Sequence, residues 1–342
     1  MKVGAALTIS SVIAALLVLS RHQQQQQPSP PKAAYDYGGA SEQVDTLTEQ
    51  LTKEPCDRPK TLELSRTLLE AGDNRGAIAR TETFVKRCGH DPGVRRVAMT
   101  AHEHLSEWKF AAADATELIE SDPYNADYRA WRGLQYEELR DWERAAEDYR
   151  QALAFRPRLR DVPLNLAMAY DHLGRPCDAL FPLEQLVFYY PGVPMPGVES
   201  RITELSVQGN CTRAGKNVAR IPYTAAATAI RARVAINGRD AGVFIIDTGA
   251  SYVTLSAAAA VKLALDLSRA SKLMLTSATG RAVGALTVLE SVDIDGLIAF
   301  RVPVVVVEEL PDVGGLIGLS YLSRFDIKQT KGVLELAARR SR

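Results

Sequence analysis

The chain has 342 residues, enough for two domains, and its 41 basic and 41 acidic residues cancel. A balanced charge gives no global attraction to nucleic acid or to an anionic membrane surface, so no nucleic-acid partner is expected and any other partner must be argued locally. The cysteines, Cys56, Cys88, Cys177 and Cys211, include no close pair and no CxxC; this speaks against a zinc site, and no metal or other cofactor is expected.

Residues 3–19 form an uninterrupted run of apolar, small and hydroxyl side chains after Lys2, about 26 Å long as a helix and so close to the thickness of a bilayer core. Residues 1–21 are therefore read as a membrane-targeting segment. Because Val18-x-Ser20 is a poor substitute for an Ala-x-Ala cleavage site, we expect an uncleaved anchor. Lys2 and Arg21 give little topological bias. The expected orientation, with the bulk of the chain in the periplasm or another extracytoplasmic space, rests on the single amino-terminal span and on the cysteines. Residues 22–55, which carry five glutamines after His22 and then Pro28-Ser29-Pro30-Pro31, read as a tether, since such a stretch has nothing with which to build a core.

Helical periodicity sets in from about residue 58, and Pro123, Pro157 and Pro191 recur at intervals of 34 residues. The unit ending at Pro157 carries Gly133 and Tyr136 in its first helix and Ala145, Tyr149 and Ala152 in its second. Small residues at these places let paired helices approach closely. The next unit keeps Ala167, Tyr170 and Ala179, and the previous one keeps Ala111, Ala115 and Leu118, with His102 in the aromatic position. Period and residues resemble those of tetratricopeptide repeats. We assign residues 56–195 to this array, with three clear repeats and a first unit that fits poorly and reads as a cap or fourth repeat. Such an array implies a protein partner on the repeat domain. Cys56 and Cys88 bracket its first helical unit and Cys177 and Cys211 its last, which suggests a disulfide at each end if the compartment is oxidising; buried free thiols are the alternative. His102-Glu103-His104 is read as polar helix surface, because residues two apart on a helix face apart and cannot easily share an ion.

Residues 196–215 lose the helical pattern to Gly- and Pro-containing sequence and are read as the interdomain junction. Beyond it the period becomes two. Ile230, Ala232, Val234 and Ile236 alternate with Arg231 and Arg233, and Asn237-Gly238 is a hairpin turn of the primed type. The second arm contains Val243-Phe244-Ile245-Ile246 and delivers Asp247 into Thr248-Gly249-Ala250-Ser251. An apolar strand buried on both faces is rigid, and Gly249 allows the tight turn that would fix the carboxylate. Further on we expect a short alanine-rich helix over residues 256–265 and strands over 288–294 and 297–307, joined at Asp295-Gly296. Pro303 suggests an edge or a bulge. Asp293-x-Asp295-Gly296 lacks the remaining ligands of a calcium loop. Residues 331–336 read as a terminal strand.

Ile245-Ile246-Asp247-Thr248-Gly249-Ala250 resembles the active-site turn of retropepsin-like aspartic peptidases. The likeness extends to Leu316-Ile317-Gly318, where the family has a strand crossing behind that turn. Between them, residues 276–284, with Thr279-Gly280 near the tip, are similar to the family's flap. The resemblance covers residues 216–342 and implies an all-β acid-protease domain after the all-α repeats. It also implies Asp247 as the catalytic residue, supported by Thr248, Gly249 and Ala250, with Leu316, Ile317 and Gly318 packed behind. The sequence contains a single Asp-Thr-Gly. The family mechanism, in which two carboxylates share a proton, therefore implies a homodimer acting on a polypeptide in extended conformation, with the terminal strand at the subunit interface. The competing expectation is a non-catalytic adaptor whose protease-like domain grips a peptide without cutting it.

Overall fold

The computed structural model describes residues 37–209, 211, 214–224, 226–277, 280–310 and 313–338. The expected anchor at residues 1–21 and Thr279 of the expected flap lie outside them. Among the described residues, no helix is long and apolar enough to cross a membrane.

Among the described residues, ten α-helices come first: α1 (Ser41–Lys53), α2 (Arg58–Glu70), α3 (Asn74–Cys88), α4 (Pro92–His104), α5 (Trp108–Ser121), α6 (Ala126–Glu138), α7 (Trp142–Phe155), α8 (Val162–His172), α9 (Pro176–Tyr189) and α10 (Pro196–Gln208). Helices α2 to α9 form four hairpins. Their turns contain residues with positive φ at Gly72, Ser106, Arg140 and Gly174, each 34 residues after the last, so the left-handed residue that ends the first helix is the most regular mark of the repeat. The first unit is thus a full repeat rather than a poorly fitting cap. Asp57, Asp91 and Asn125, at the same spacing, cap the first helices through their side chains. At Gly133 an added Cβ would lie 2.6 Å from the Tyr149 ring, which is why that crossing requires glycine.

Two expectations need correction. Within residues 22–55, α1 buries Val44, Leu47 and Leu51 against the first repeat; that helical stripe outweighs the polar composition. Within residues 196–215, α10 starts on Pro196, and a first-turn proline favours a helix. Its Val198, Ile202 and Leu205 cover the core of the last repeat. The disulfides are Cys56–Cys88 and Cys177–Cys211, the first tying the ends of the α2–α3 hairpin and the second securing α10.

His102 is not on the polar surface. It is buried, with Nδ1 2.8 Å from Asp114 Oδ2, while Arg95 donates to the other oxygen of Asp114 at 2.8 Å. Thirty-four residues on, Arg129 and Arg132 pair with the buried Asp148. His104 is exposed and meets Asn74 instead, so the two histidines do diverge.

The remaining chain is β-rich: β1 (Ala214–Gly215), β2 (Val218–Pro222), β3 (Arg231–Ile236), β4 (Arg239–Ile246), β5 (Val253–Ser256), α11 (Ala257–Lys262), β6 (Ser271–Ser277), β7 (Gly280–Ile294), β8 (Leu297–Val307), β9 (Gly315–Ile317), α12 (Leu319–Leu322), β10 (Phe325–Thr330) and β11 (Val333–Ala338). One sheet runs β1-β8-β5-β9-β4-β3-β7-β6, with β7 also paired to β8; a second runs β10-β11-β2. Positive φ at Asn237 and Gly238, and again at Asp295 and Gly296, identifies two tight hairpin turns of the expected kind. Pro303 does not lie at an edge, because β8 has neighbours on both sides. The distortion falls two residues earlier, at Arg301, whose φ is 54°.

Repeats and β-domain share a core. Ala154 of α7 and Phe181 of α9 belong to the same buried cluster as Val234, Phe244 and Ile317, and Phe181 meets Tyr252 with ring centroids 5.3 Å apart. A fully buried aromatic of this size contributes about 2–3 kcal/mol. Beside it the buried Arg324 and Glu184 lie 3.3 Å apart, in ion-pair rather than hydrogen-bond geometry. Arg324 also donates to the carbonyls of Phe300 and Arg301, and Arg301 reaches Asp178 at 3.4 Å.

Candidate active site

Strand β4 carries Asp247 at its end, and the reason it is rigid is visible in its neighbours. It pairs antiparallel with β3 and parallel with β9, matching Phe244 to Gly315, Ile245 to Leu316 and Ile246 to Ile317. Phe244 is fully buried. At the strand end the Asp247 N–H donates to the Ile317 carbonyl at 3.0 Å, so the register continues into the turn.

The turn closes on itself. The Gly249 N–H donates to Asp247 Oδ1 at 2.8 Å and the Ala250 N–H to the Asp247 carbonyl at 3.2 Å. It is then tied to the segment after β9: the N–H groups of Leu319 and Ser320 donate to the carbonyls of Ala250 and Ser251 at 2.8 and 3.0 Å. Gly318 makes this crossing possible. A Cβ there would fall 2.2 Å from the Tyr252 carbonyl oxygen and 2.6 Å from that of Ala250, so no other residue fits without moving the backbone. Gly315 is equally confined by Phe244 and the Thr254 carbonyl.

Of the residues expected at the site, Asp247, Thr248, Gly249, Ala250, Leu316, Ile317 and Gly318 are brought together. Asp247 is half-buried, Thr248 and Gly249 are exposed, and Ile317 and Gly318 are buried beneath them. Gly280 begins β7, across from Ser277 in the β6–β7 hairpin, the stretch likened above to the family's flap. Among the described residues, no group of three or more His, Cys, Asp or Glu side chains is placed to hold a metal ion.

Sequence reasoning missed two further residues. Buried Ser320 accepts from the Val253 N–H at 2.8 Å and donates to the Pro303 carbonyl at 2.7 Å, joining three segments under the turn. Its position directly after the Leu316-Ile317-Gly318 crossing was the available signal. Tyr189, at the end of α9, packs against the core of the β-domain close to Ser251, and burial raises its phenol above the ordinary value. Nothing in the sequence links a repeat tyrosine to this turn.

The family model described as "gag-polyprotein putative aspartyl protease" matches residues 232–324, a span that contains all but the first residue of β3, the Asp247 turn, the β6–β7 hairpin and Gly318. The carboxy-terminal domain is retropepsin-like. Among solved structures, the chain is similar to a retropepsin-like aspartic protease from Rickettsia conorii, at 26% identity over 35% of this chain and 99% of that one, with a TM-score of 0.31. It is also similar to the MamA protein (17% identity, 54% of this chain and 97% of that one, TM-score 0.41). A tetratricopeptide repeat protein from Parabacteroides merdae matches at 16% identity over 49% of this chain and 66% of that one, with a TM-score of 0.40. No curated protein matches the sequence. The architecture is a tetratricopeptide-like array followed by, and packed on, the retropepsin-like domain.

Proposed function

We propose that the protein is an envelope-anchored aspartic endopeptidase, active as a homodimer in which each protomer contributes Asp247 and in which the repeats recruit substrate or a protein partner. The observation that carries this reading is the Asp247 turn: a carboxylate held by the Gly249 N–H at 2.8 Å, on a strand locked in parallel register with the segment leading to Gly318. A single carboxylate is a poor activator of water. Two of them a few ångströms apart cannot both ionise, so one serves as base while the other, protonated, donates to the scissile carbonyl. The exposure of Thr248 and Gly249 fits a turn that meets its own copy across a two-fold axis.

The repeats support a recruiting role. Leu134 and Met168, 34 residues apart on the first helices of successive hairpins, are each 40% exposed, and Leu164 is 42% exposed. Apolar side chains recurring on one helical face suit an amphipathic or extended protein segment. The envelope location is supported by the apolar run at residues 3–19 and by the two disulfides, which persist in oxidising compartments.

The test is cleavage of reduced, carboxymethylated lactalbumin, an unfolded polypeptide, by the full-length protein and by Asp247→Asn between pH 4 and 7.5. Cleavage by the parent that is lost in the folded variant supports the reading. Binding without cleavage by both proteins would favour the adaptor instead.

A further inference from the structure

The β6–β7 hairpin, the stretch likened to the family's flap, is joined to the repeats through an edge. Strand β6 ends the large sheet; β7 covers one of its sides, and an uncovered strand edge offers N–H and C=O groups that need partners. At Met274 a side chain meets that need. Gln151 Oε1 accepts from the Met274 N–H at 2.9 Å, and Gln151 Nε2 donates to the Met274 carbonyl at 2.7 Å. One amide side chain thus makes both hydrogen bonds that a residue of a neighbouring antiparallel strand would make.

Gln151 is well suited to hold that position. It is 5% exposed and lies on α7 next to Ala152 and Leu153, both in the repeat core, so its helix cannot easily shift. Two other contacts hold the same hairpin. Arg150 donates to Ser271 Oγ at 3.4 Å. On the second strand the Arg281 guanidinium lies 3.5 Å from the ring centroid of Tyr124, in the loop between α5 and α6. Val283, directly across from Met274 in the ladder, stays 60% exposed. The hairpin is therefore fixed on the repeats while an apolar side chain beside the fixed point remains open to a ligand.

We infer that Gln151 is a positioning residue for polypeptide binding: acting as a one-residue substitute strand, it fixes the β6–β7 hairpin in the place from which that hairpin pairs with an extended chain. This rests on the peptidase reading above. An isolated hairpin is marginal in water, and a binding element ordered in advance loses less on association. The repeats would thus take part in the cleft's affinity for substrate as well as in recruitment.

The test uses full-length protein and Gln151→Met, which keeps side-chain length and removes both hydrogen bonds. Amide exchange at Met274 should accelerate roughly tenfold, with the amides of β8 unchanged. KM for reduced, carboxymethylated lactalbumin should rise roughly tenfold with kcat within about twofold, the signature of lost uniform binding. The same loss should appear as Kd when the substitution is made in Asp247→Asn, a readout independent of catalysis. Tyr124→Leu, which leaves Gln151 in place, should weaken Kd by a smaller factor and serves should Gln151→Met not fold. Unchanged exchange at Met274, unchanged Kd, or tighter binding would overturn the inference. If the parent fails to cleave while Kd responds as described, the catalytic reading falls and the positioning role stands.

Discussion

The repeats depend on left-handed backbone at their turns and the active-site crossing on crowded glycines, and the two differ in what they tolerate. In the array, the residue that ends each first helix has positive φ and is Gly72, Ser106, Arg140 or Gly174. The chain accepts a left-handed serine or arginine because nothing crowds the turn, and the local cost is about 1–2 kcal/mol. In the β-domain, Gly315 and Gly318 are fixed by sterics, with carbonyl oxygens 2.5 and 2.2 Å from where a Cβ would stand. A repeat spreads its specification over several equivalent units, each touching its neighbours. The site concentrates its specification in one crossing of β4 and β9.

The largest effect that would break this contrast is expected at Gly318. Gly318→Ala should destabilise the β-domain by about 3 kcal/mol or more, because the obstructing atoms are backbone and cannot rotate away. Denaturant unfolding followed in that domain would measure it, and a loss below about 1 kcal/mol would mean that the crossing is less rigid than described. In the array, Arg140→Gly should run the other way. Relief at φ 56° is partly offset by the greater freedom of glycine in the unfolded chain, leaving a stabilisation of at most about 1 kcal/mol.

A smaller effect concerns pH. Burial alone would raise the Asp91 carboxyl, but hydrogen bonding from Arg58, the Val94 N–H and the Gly93 N–H, with the Arg58 charge, brings it below its ordinary value of 3.8. A depressed folded-state pKa contributes stability that is present above the ordinary value and lost as the pH falls through the depressed one. Acid unfolding of the array should therefore steepen below about pH 4, and Asp91→Asn, which still caps α4, should flatten that slope.

Much of this architecture was legible because the signals are local. The 34-residue period, the alternation of Ala232, Val234 and Ile236, the Asn237-Gly238 turn and the Asp247 motif each sit within one element or one repeat. Residues 38–53 and 196–208 were misread because polar composition and a Pro-Gly start concealed stripes such as Val198, Ile202 and Leu205. His102 looked exposed because its partner, Asp114, lies on the next helix. The least legible features were contacts between domains: Gln151 with Met274 is separated by 123 residues, and Glu184 with Arg324 joins a helix to the turn before β10. No period reports a contact that occurs once.

On the proposed reading Asp247, held by this crossing and doubled by dimerisation, cleaves polypeptides. The most direct measurement mixes folded full-length parent with increasing Asp247→Asn protein at constant total concentration and follows hydrolysis of reduced, carboxymethylated lactalbumin after subunit exchange. If each site needs a carboxylate from both protomers, activity should fall as the square of the parent fraction. A linear fall would contradict the shared site, and undiminished hydrolysis by the pure variant would remove Asp247 from the chemistry.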